Sequence, residues 1–230
     1  MEARLSTGQA PDGESSAPQL AFAIEDGGVL EYAAVPTLRF GLRIESSGGA
    51  PIRSLSLNVQ LRIAAPRRPY EQHDRERLVE LFGPTGDFGR NLRGLHWTNL
   101  ALHVGPFSGS TVVEMPVTCT YDLDVTASRY FHALEDGEVP LEFLFGGLVF
   151  YAGPEGRLQV QPIAWNQEAE FRLPVSVWRE MMDHHFPGQA WLRLDRTAFD
   201  RLHAYKRRNT LLTWEDTVDS LVRAAGEDET

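Results

Sequence analysis

Cysteine and long apolar runs are scarce in this sequence, and each shortage excludes a class of protein. Cys119 is the only cysteine, so neither an intrachain disulfide nor an all-cysteine metal site can form. The longest apolar stretch, residues 143–152, contains two glycines and is far shorter than the roughly 20 residues of a membrane-spanning helix. We therefore expect a soluble protein that resides in the cytoplasm.

Positive charge is also in deficit. The 230 residues contain 22 Lys and Arg against 32 Asp and Glu, which gives a formal net charge of −10. An acidic surface repels nucleic acids and anionic membranes, so we expect neither as a partner and no insertion into a membrane. Residues 1–18 lack the apolar segment of a secretory signal and are predicted to be a disordered leader, and residues 226–230 an acidic tail.

Residues 19–174 carry apolar side chains at every second position. In the two clearest segments, 38–44 and 55–63, Leu, Phe, Ile and Val alternate with polar or small residues. Because successive side chains of a strand point to opposite faces, this alternation predicts strands with one buried face. The same reasoning predicts further strands at 20–25, 100–104, 113–123, 141–145, 148–151, 158–165 and 169–173.

About eight or nine one-sided strands need a second layer to cover their apolar faces. Residues 19–174 are therefore predicted to form an antiparallel β-sandwich, immunoglobulin-like or related in topology. The turn residues at 46–51 indicate that strands 38–44 and 55–63 are joined directly as antiparallel neighbours. Pro116 cannot donate to a sheet ladder, which predicts that its strand lies at an edge or is bulged there. Segment 72–82 is predicted to form a short helix.

From residue 175 to residue 225 the apolar spacing changes to every third or fourth position. Trp178 and Met182 lie on one stripe of a first predicted helix, Asp195 is placed to cap a second, and Thr213 with Asp216 forms a capping-box start to a third. Isolated helices of this length are only marginally stable in water. We therefore expect this helical segment to pack on the sandwich.

The nearest thing to a metal-binding cluster is Asp183, His184 and His185, which His203 could join in space. Zinc sites on helices prefer an i,i+4 pair of ligands, whereas these three residues are consecutive and point in different directions. Histidines near a helix C-terminus are also favoured by the helix dipole. Both interpretations stay open, and the four residues are the metal-ligand candidates.

Four of the five tryptophans lie in the C-terminal third of the chain. Trp178, Trp191 and Trp214 are candidate contacts for a protein partner or a sugar, because indoles contribute strongly to interfaces, and pinning helices to a sheet is the alternative role. Cys119 lies in the middle of a predicted strand, which favours a buried core thiol over a nucleophile. No GxSxG, P-loop or GxGxxG motif is present, and we expect no cofactor and no catalytic residue.

Three segments carry a family resemblance: 116–122 (PVTCTYD), 140–147 (PLEFLFGG) and 183–205, which begins DHHFPGQAWLRL. The chain after residue 18 resembles an uncharacterised actinobacterial family classed as a domain of unknown function. The resemblance implies a gene neighbourhood that often includes nickel-iron hydrogenase structural and maturation genes. It implies no catalytic residues.

Two functional classes follow. The first is a non-catalytic accessory or binding protein, whose sandwich presents loops or an edge to a partner, and the resemblance makes a hydrogenase subunit or maturation factor the candidate partner. The second is a metal-dependent or carbohydrate-binding module that uses the histidines and the tryptophans. The first is the prediction we carry forward.

Overall fold

The structure, a computed structural model, describes residues 17–120, 122, 125–153, 156–189 and 193–226. The chain divides into two compact units, Met1–Ala190 and Trp191–Thr230. Within the described residues, the first unit holds two antiparallel sheets and the second holds two helices.

The strands of the first unit form a three-stranded and a five-stranded sheet. The first sheet has the order β1-β2-β5, with bounds β1 Gln19–Val29, β2 Thr37–Ser47 and β5 Ser110–Thr118. The second sheet is built from β3 Ile52–Ile63, β4 Leu95–Val104, β6 Glu138–Ala152, β7 Leu158–Pro162 and β8 Gln167–Pro174. Its central pair is β3 and β6; β4 lies beside β3, and both β7 and β8 pair with β6.

The two sheets pack face to face. Phe22 of β1 stacks on Phe145 of β6 with ring centroids 4.4 Å apart, and Phe40 of β2 meets Phe143 of β6 edge to face at 5.2 Å. In β2, β3 and β5 the buried side chains include the alternating apolar positions seen in the sequence. The predicted antiparallel β-sandwich is therefore confirmed.

The predicted direct pairing of strands 38–44 and 55–63 is wrong. β2 belongs to the first sheet, where it lies between β1 and β5, whereas β3 belongs to the second sheet between β4 and β6. The glycine-rich segment 48–51 therefore crosses from one sheet to the other. Alternation identifies which face of a strand is buried, and it does not identify the neighbouring strand.

Segments 141–145 and 148–151, predicted as separate strands, are one strand. β6 runs unbroken through Gly146 and Gly147, and the pairing with β3 shows no register shift there. A side chain at Gly147 would collide with the backbone oxygen of Ser56 at 2.0 Å, so the close approach of β3 requires glycine. The same two residues mark the point where β6 changes its second partner from β8 to β7.

Pro116 lies on β5, at the edge of the first sheet, which is the first of the two predicted alternatives, and the β2–β5 pairing shows no register shift there. The predicted strand 113–123 is shorter in the structure, because β5 ends at Thr118. Tyr121 and Leu123 lie outside the described residues. The backbone N–H of Cys119 still donates to the carbonyl of Pro36, at 2.8 Å.

Five α-helices and a 3-10 turn at Ala65–Arg67 accompany the described sandwich. The predicted short helix at 72–82 is confirmed as two consecutive helices that meet at Leu78. A helix at Thr126–Ala133 was not predicted, although Ala127, Tyr130 and Phe131 stand at helical spacing and are buried. The bounds are α1 Gln72–Arg77, α2 Val79–Phe82, α3 Phe88–Asn91, α4 Thr126–Ala133 and α5 Val175–His185.

The first of the three predicted C-terminal helices, α5, belongs to the first unit. Val175, Trp178, Met181 and Met182 are all buried in its core. The other two helices form the second unit, with α6 at Arg196–Arg208 and α7 at Trp214–Ala225. All three lie where the change of apolar spacing predicted them.

Candidate functional sites

The predicted histidine cluster lies on the last turn of α5. Asp183 and His184 are exposed, His185 is half-buried, and the two imidazole rings meet edge to face with centroids 5.4 Å apart. His203 lies on α6, where its ring stacks on Phe199. Among the residues that the structure describes, no group of three or more His, Cys, Asp and Glu side chains is arranged to hold a metal ion. A metal site here stays a prediction.

The candidate tryptophans occupy different environments. Trp178 is 3% exposed and its indole stacks on Phe131, with centroids 5.4 Å apart and planes inclined by 13°. This burial leaves it no surface to offer a partner. Trp191 lies outside the described residues. Trp214 begins α7 and is 39% exposed, and Trp165, another of the four C-terminal tryptophans, is 94% exposed in the turn before β8.

Cys119 is a core residue, as predicted. Its side chain is buried, and the thiol donates to the carbonyl of Val117 at 3.5 Å. Burial raises the pKa of the thiol to about 12, because the thiolate would lose its hydration. The thiol is therefore neutral at physiological pH and unsuited to nucleophilic attack.

A buried polar cluster at the end of the sandwich was missed by the sequence reasoning. The guanidinium of Arg68 lies 3.5 Å from the carboxylate of Asp74, and both side chains are almost fully buried. The same guanidinium donates to the backbone oxygens of Asp136 and Glu138, at 3.0 Å each. It thus ties the helical connection after β3 to the start of β6.

Two tyrosines extend this cluster. The hydroxyls of Tyr70 and Tyr130 are 2.7 Å apart, and Tyr70 also donates to the carbonyl of Ala65 at 2.9 Å. Burial raises the pKa of Tyr70 to about 12 and raises the pKa of Tyr130 further above its ordinary value. Both phenols therefore stay protonated, and the arrangement is a structural link between α4 and the segment after β3. The partners are 60 residues apart in sequence, so no local pattern signals them.

The second unit is a helical hairpin fixed by several specific hydrogen bonds. Asp195 caps α6 by accepting from the backbone N–H of Ala198 at 2.8 Å, and Thr213 with Asp216 forms a capping box on α7, both as predicted. Tyr205 and Ser220 link the two helices through their hydroxyls at 2.8 Å.

Lys206, the only lysine of the chain, closes the hairpin turn. Its ammonium group donates to the backbone oxygens of Leu211 and Thr213, at 2.9 Å and 2.8 Å, and lies 5.4 Å from the centre of the Trp214 ring. An ammonium with two carbonyl acceptors and an aromatic face holds the loop between the helices in one conformation.

The same hairpin leaves apolar side chains exposed. We call Phe199, Trp214, Val218, Leu221 and Val222 the hairpin stripe; each is 38–48% exposed. On α7 the members fall at positions i, i+4, i+7 and i+8, which is one face of a helix. The stripe is a candidate surface for contact with an apolar partner.

A shallow depression of about 490 Å³ lies on the outward face of the five-stranded sheet. Its polar lining comes from the amides of Asn58, Gln60 and Asn99, and its floor includes Gly146, which has no side chain to fill the space. Such a surface can form hydrogen bonds with a ligand of matching shape, and its lining contains no ionic group.

None of the helices in the described part of the chain is both long and apolar enough to cross a membrane.

Several solved structures are distantly similar to the sandwich. The CARDB domain of a Pyrococcus furiosus protein, in complex with di-metal ions, is 14% identical, with 68% of this chain and 91% of that chain covered and a TM-score of 0.27. A putative late embryogenesis abundant protein is 15% identical, with 69% and 72% covered and a TM-score of 0.29. The putative ApaA protein of Bordetella pertussis is 12% identical, with 68% and 93% covered and a TM-score of 0.24.

At these scores the structural likenesses carry no argument about function. No curated protein matches the sequence significantly. A family model does match, and it spans residues 17–230, which includes the second unit, the first unit from residue 17 onward and all of the candidate residues named above. The chain therefore belongs to DUF6084, a family of unknown function.

Proposed function

We propose that this chain is a non-catalytic accessory protein that works by binding another protein through the hairpin stripe. The resemblance described from the sequence makes a nickel-iron hydrogenase subunit or maturation factor the candidate partner. The observation that carries the proposal is the exposure of five large apolar side chains on one well-capped helical hairpin. Exposed apolar side chains that cluster on one element mark interaction sites more often than isolated ones do.

The stripe has the composition of a binding surface. It contains two aromatic side chains, Phe199 and Trp214, whose rings lie 5.6 Å apart, and three branched aliphatic ones. Aromatic side chains contribute disproportionately to binding energy at protein interfaces. The i, i+4, i+7 and i+8 spacing on α7 matches the way an amphipathic helix docks into an apolar groove.

The hydrogen bonds within the hairpin favour binding because they fix its shape before a partner arrives. The capping box, the Tyr205–Ser220 link and the turn held by Lys206 together restrict both helices and their loop. A surface that is already ordered loses less conformational entropy on binding than a flexible one.

Charge adds a preference for partner type. α6 contains five basic residues and one acidic residue, and three of the basic ones, Lys206, Arg207 and Arg208, occupy its last turn. The whole chain, by contrast, carries −10. A partner with acidic groups therefore complements the end of α6, whereas the acidic residues Glu215, Asp216 and Asp219 of α7 complement basic groups.

Affinity capture with a matched pair of variants tests the proposal. Full-length tagged chain is expressed in the native host as wild type, as Val218→Gln/Val222→Gln, and as Ala224→Gln. Glutamine has a higher helix propensity than valine, so the double variant removes apolar surface without weakening α7. Ala224 lies on the same helix but outside the stripe.

We expect wild type and Ala224→Gln to recover the same partner, a hydrogenase component, and the double variant to recover about tenfold less or lower. Equal recovery by all three proteins would contradict the role of the stripe. Specific recovery of an unrelated partner, abolished by the double variant, would keep the stripe and reject the hydrogenase assignment.

A further inference from the structure

A second depression opens at the side of the sandwich where β1 begins. It holds about 270 Å³ and lies between the start of β1 and the turn that joins β7 to β8. Its polar lining comes from three glutamines, Gln19, Gln161 and Gln167, and the rest of the lining is apolar. We call it the glutamine depression. Among the described residues that line it, none carries an ionic group.

Gln161 and Gln167 occupy positions where the core would otherwise favour apolar side chains. Gln161 pairs with Val149 and Gln167 pairs with Phe145, and residues paired directly across an antiparallel ladder point to the same side of the sheet. Val149 and Phe145 are both buried in the core, so the two amides face inward at the margin of the sandwich. Turning a polar group toward a core costs free energy unless the group is hydrogen-bonded.

The amides of the glutamine depression are available to a ligand. None of the three glutamine side chains has a hydrogen-bond partner among the described residues. Each primary amide has two donor hydrogens and an acceptor oxygen. The best complement is a ligand whose groups both donate and accept, which hydroxyl groups do and anions do not.

An exposed aromatic platform stands beside the depression. Trp165 lies in the turn whose two ends, Ala164 and Gln167, line the depression. The backbone N–H of Gln167 donates to the carbonyl of Ala164 at 3.3 Å, and the N–H of Ile163 donates to the carbonyl of Gly147 at 2.9 Å, which ties the turn to β6. The indole is 94% exposed, and no ring of the described residues packs on it. A large apolar ring on an ordered turn is ready to bind without losing much entropy.

We propose that the glutamine depression and Trp165 form a binding site for a neutral carbohydrate. The apolar C–H face of a sugar ring packs on the indole, and the hydroxyls around the ring exchange hydrogen bonds with the glutamine amides. A neutral sugar is favoured because an acidic one would meet no cation in the lining, on a chain whose net charge is −10. The volume suits one or two sugar rings, since sites for drug-sized ligands occupy about 300–1,000 Å³.

Two other ligand classes match the site less well. A proline-rich segment also packs on tryptophan, but proline has no backbone N–H, so such a segment presents acceptors and few donors to the amides. A cationic ligand would need a carboxylate. Glu168 follows Gln167 on β8 but pairs with Leu144, and its side chain therefore points to the opposite face of the sheet.

Calorimetric titration of the full-length chain tests the ligand class. The probes are four neutral tetrasaccharides, maltotetraose, cellotetraose, mannotetraose and chitotetraose, each up to about 10 mM, with tetragalacturonate and a proline-rich decapeptide for comparison. We expect at least one neutral tetrasaccharide to bind with a Kd of about 1 mM or lower, and neither comparison ligand to bind. No binding by any of the four would overturn the proposal, and so would tighter binding of the acidic sugar or the peptide.

Variants of the chain locate the contact. Trp165→Ala should weaken binding by at least about tenfold, and Trp165→Phe should weaken it less because an aromatic face remains. Gln161→Leu removes an amide without emptying its place and should also weaken binding. Tyr32→Ala is the matched control, since Tyr32 is 100% exposed in the turn between β1 and β2, away from the depression. Wild-type affinity in Trp165→Ala, or an equal loss in Tyr32→Ala, would contradict the site.

The same variants separate this site from the hairpin stripe. Thermal unfolding verifies that each variant is folded. Val218→Gln/Val222→Gln should bind the tetrasaccharide as tightly as wild type does, and Trp165→Ala should recover the protein partner normally in affinity capture. Failure of the carbohydrate proposal and failure of the proposed function are therefore distinguishable.

Discussion

The buried ion pair of Arg68 and Asp74 offers a quantitative test of the fold. Both side chains are more than nine-tenths buried and their charged atoms are 3.5 Å apart. Replacing Asp74 with alanine leaves the guanidinium buried without its counter-charge, and we expect this to lower the free energy of unfolding by about 3–5 kcal/mol. Loss of the capping interaction that Asp74 provides to the backbone N–H of Glu71 contributes to the same total.

Replacing Arg68 with methionine is expected to cost a similar amount. It leaves Asp74 unpaired and removes the donors from the backbone oxygens of Asp136 and Glu138. The double variant Arg68→Met/Asp74→Ala combines the two single substitutions and has no buried charge at this place. We therefore expect it to be more stable than the sum of the single effects predicts, by about 2–3 kcal/mol.

The assay is urea unfolding followed by far-UV circular dichroism for wild type, both single variants and the double variant. The slope of the free energy against urea should be unchanged if only the native state is affected. A loss of less than about 1 kcal/mol for Asp74→Ala would show that the pair behaves as a solvated surface pair. Additivity within about 0.5 kcal/mol would refute the coupling.

Three further predictions follow from single sites. Trp178→Ala should lower the free energy of unfolding by about 3–5 kcal/mol, because the indole is buried. Trp165→Ala, at a 94% exposed position, should change it by less than about 0.5 kcal/mol. Thermal unfolding of the two variants and of wild type measures the difference. Burial raises the pKa of Cys119 from 9.0 and the pKa of Tyr70 from 10.0, each to about 12. The stability that these neutral groups contribute is therefore complete below pH 9, and the free energy of unfolding should fall between pH 9 and about 12. Native Cys119 should be unreactive to thiol reagents at pH 8. Elemental analysis should find no stoichiometric zinc, nickel or iron, and His184→Ala should leave the metal content unchanged; one tightly held ion per chain, lost in that variant, would reverse the choice between the two functional classes.

Local patterns in the sequence were sufficient to locate most strands, the C-terminal helices and two of the helix caps. Alternation located β2 and β3, because burial of one face is a property of a single strand. Asp195 and Thr213 were recognised as helix caps because a cap bonds to an amide only a few residues away. Pro116 indicated an edge because the missing N–H excludes proline from a central ladder.

What the sequence could not show depends on contacts between distant residues. The partners of β2 and β3 are set by packing of whole sheets, so the turn at 46–51 was interpreted as a hairpin. The cluster that contains Arg68, Tyr70 and Tyr130 joins residues about 60 positions apart in the sequence. Such a contact depends on the fold and cannot be predicted from the spacing of residues along the chain.

Of the predicted site residues, Trp178 shows the difficulty most clearly. An amphipathic helix with an exposed tryptophan and one with a buried tryptophan have the same spacing, and the stack on Phe131 depends on α4, which the sequence reasoning did not find. Trp214 and its neighbours could be placed on a helical stripe, but their exposure follows from the shape of the hairpin.

Hydrogenase activity in a complemented deletion strain tests the central claim most directly. The gene is deleted in the native host and restored as wild type, as Ala224→Gln, or as Val218→Gln/Val222→Gln, with equal amounts of each protein verified by immunoblot. We predict that deletion lowers hydrogenase activity, that wild type and Ala224→Gln restore it, and that the double variant does not, because the hairpin stripe carries the partner contact. Full activity in the deletion strain would contradict the hydrogenase assignment, and full restoration by the double variant would contradict binding through the stripe.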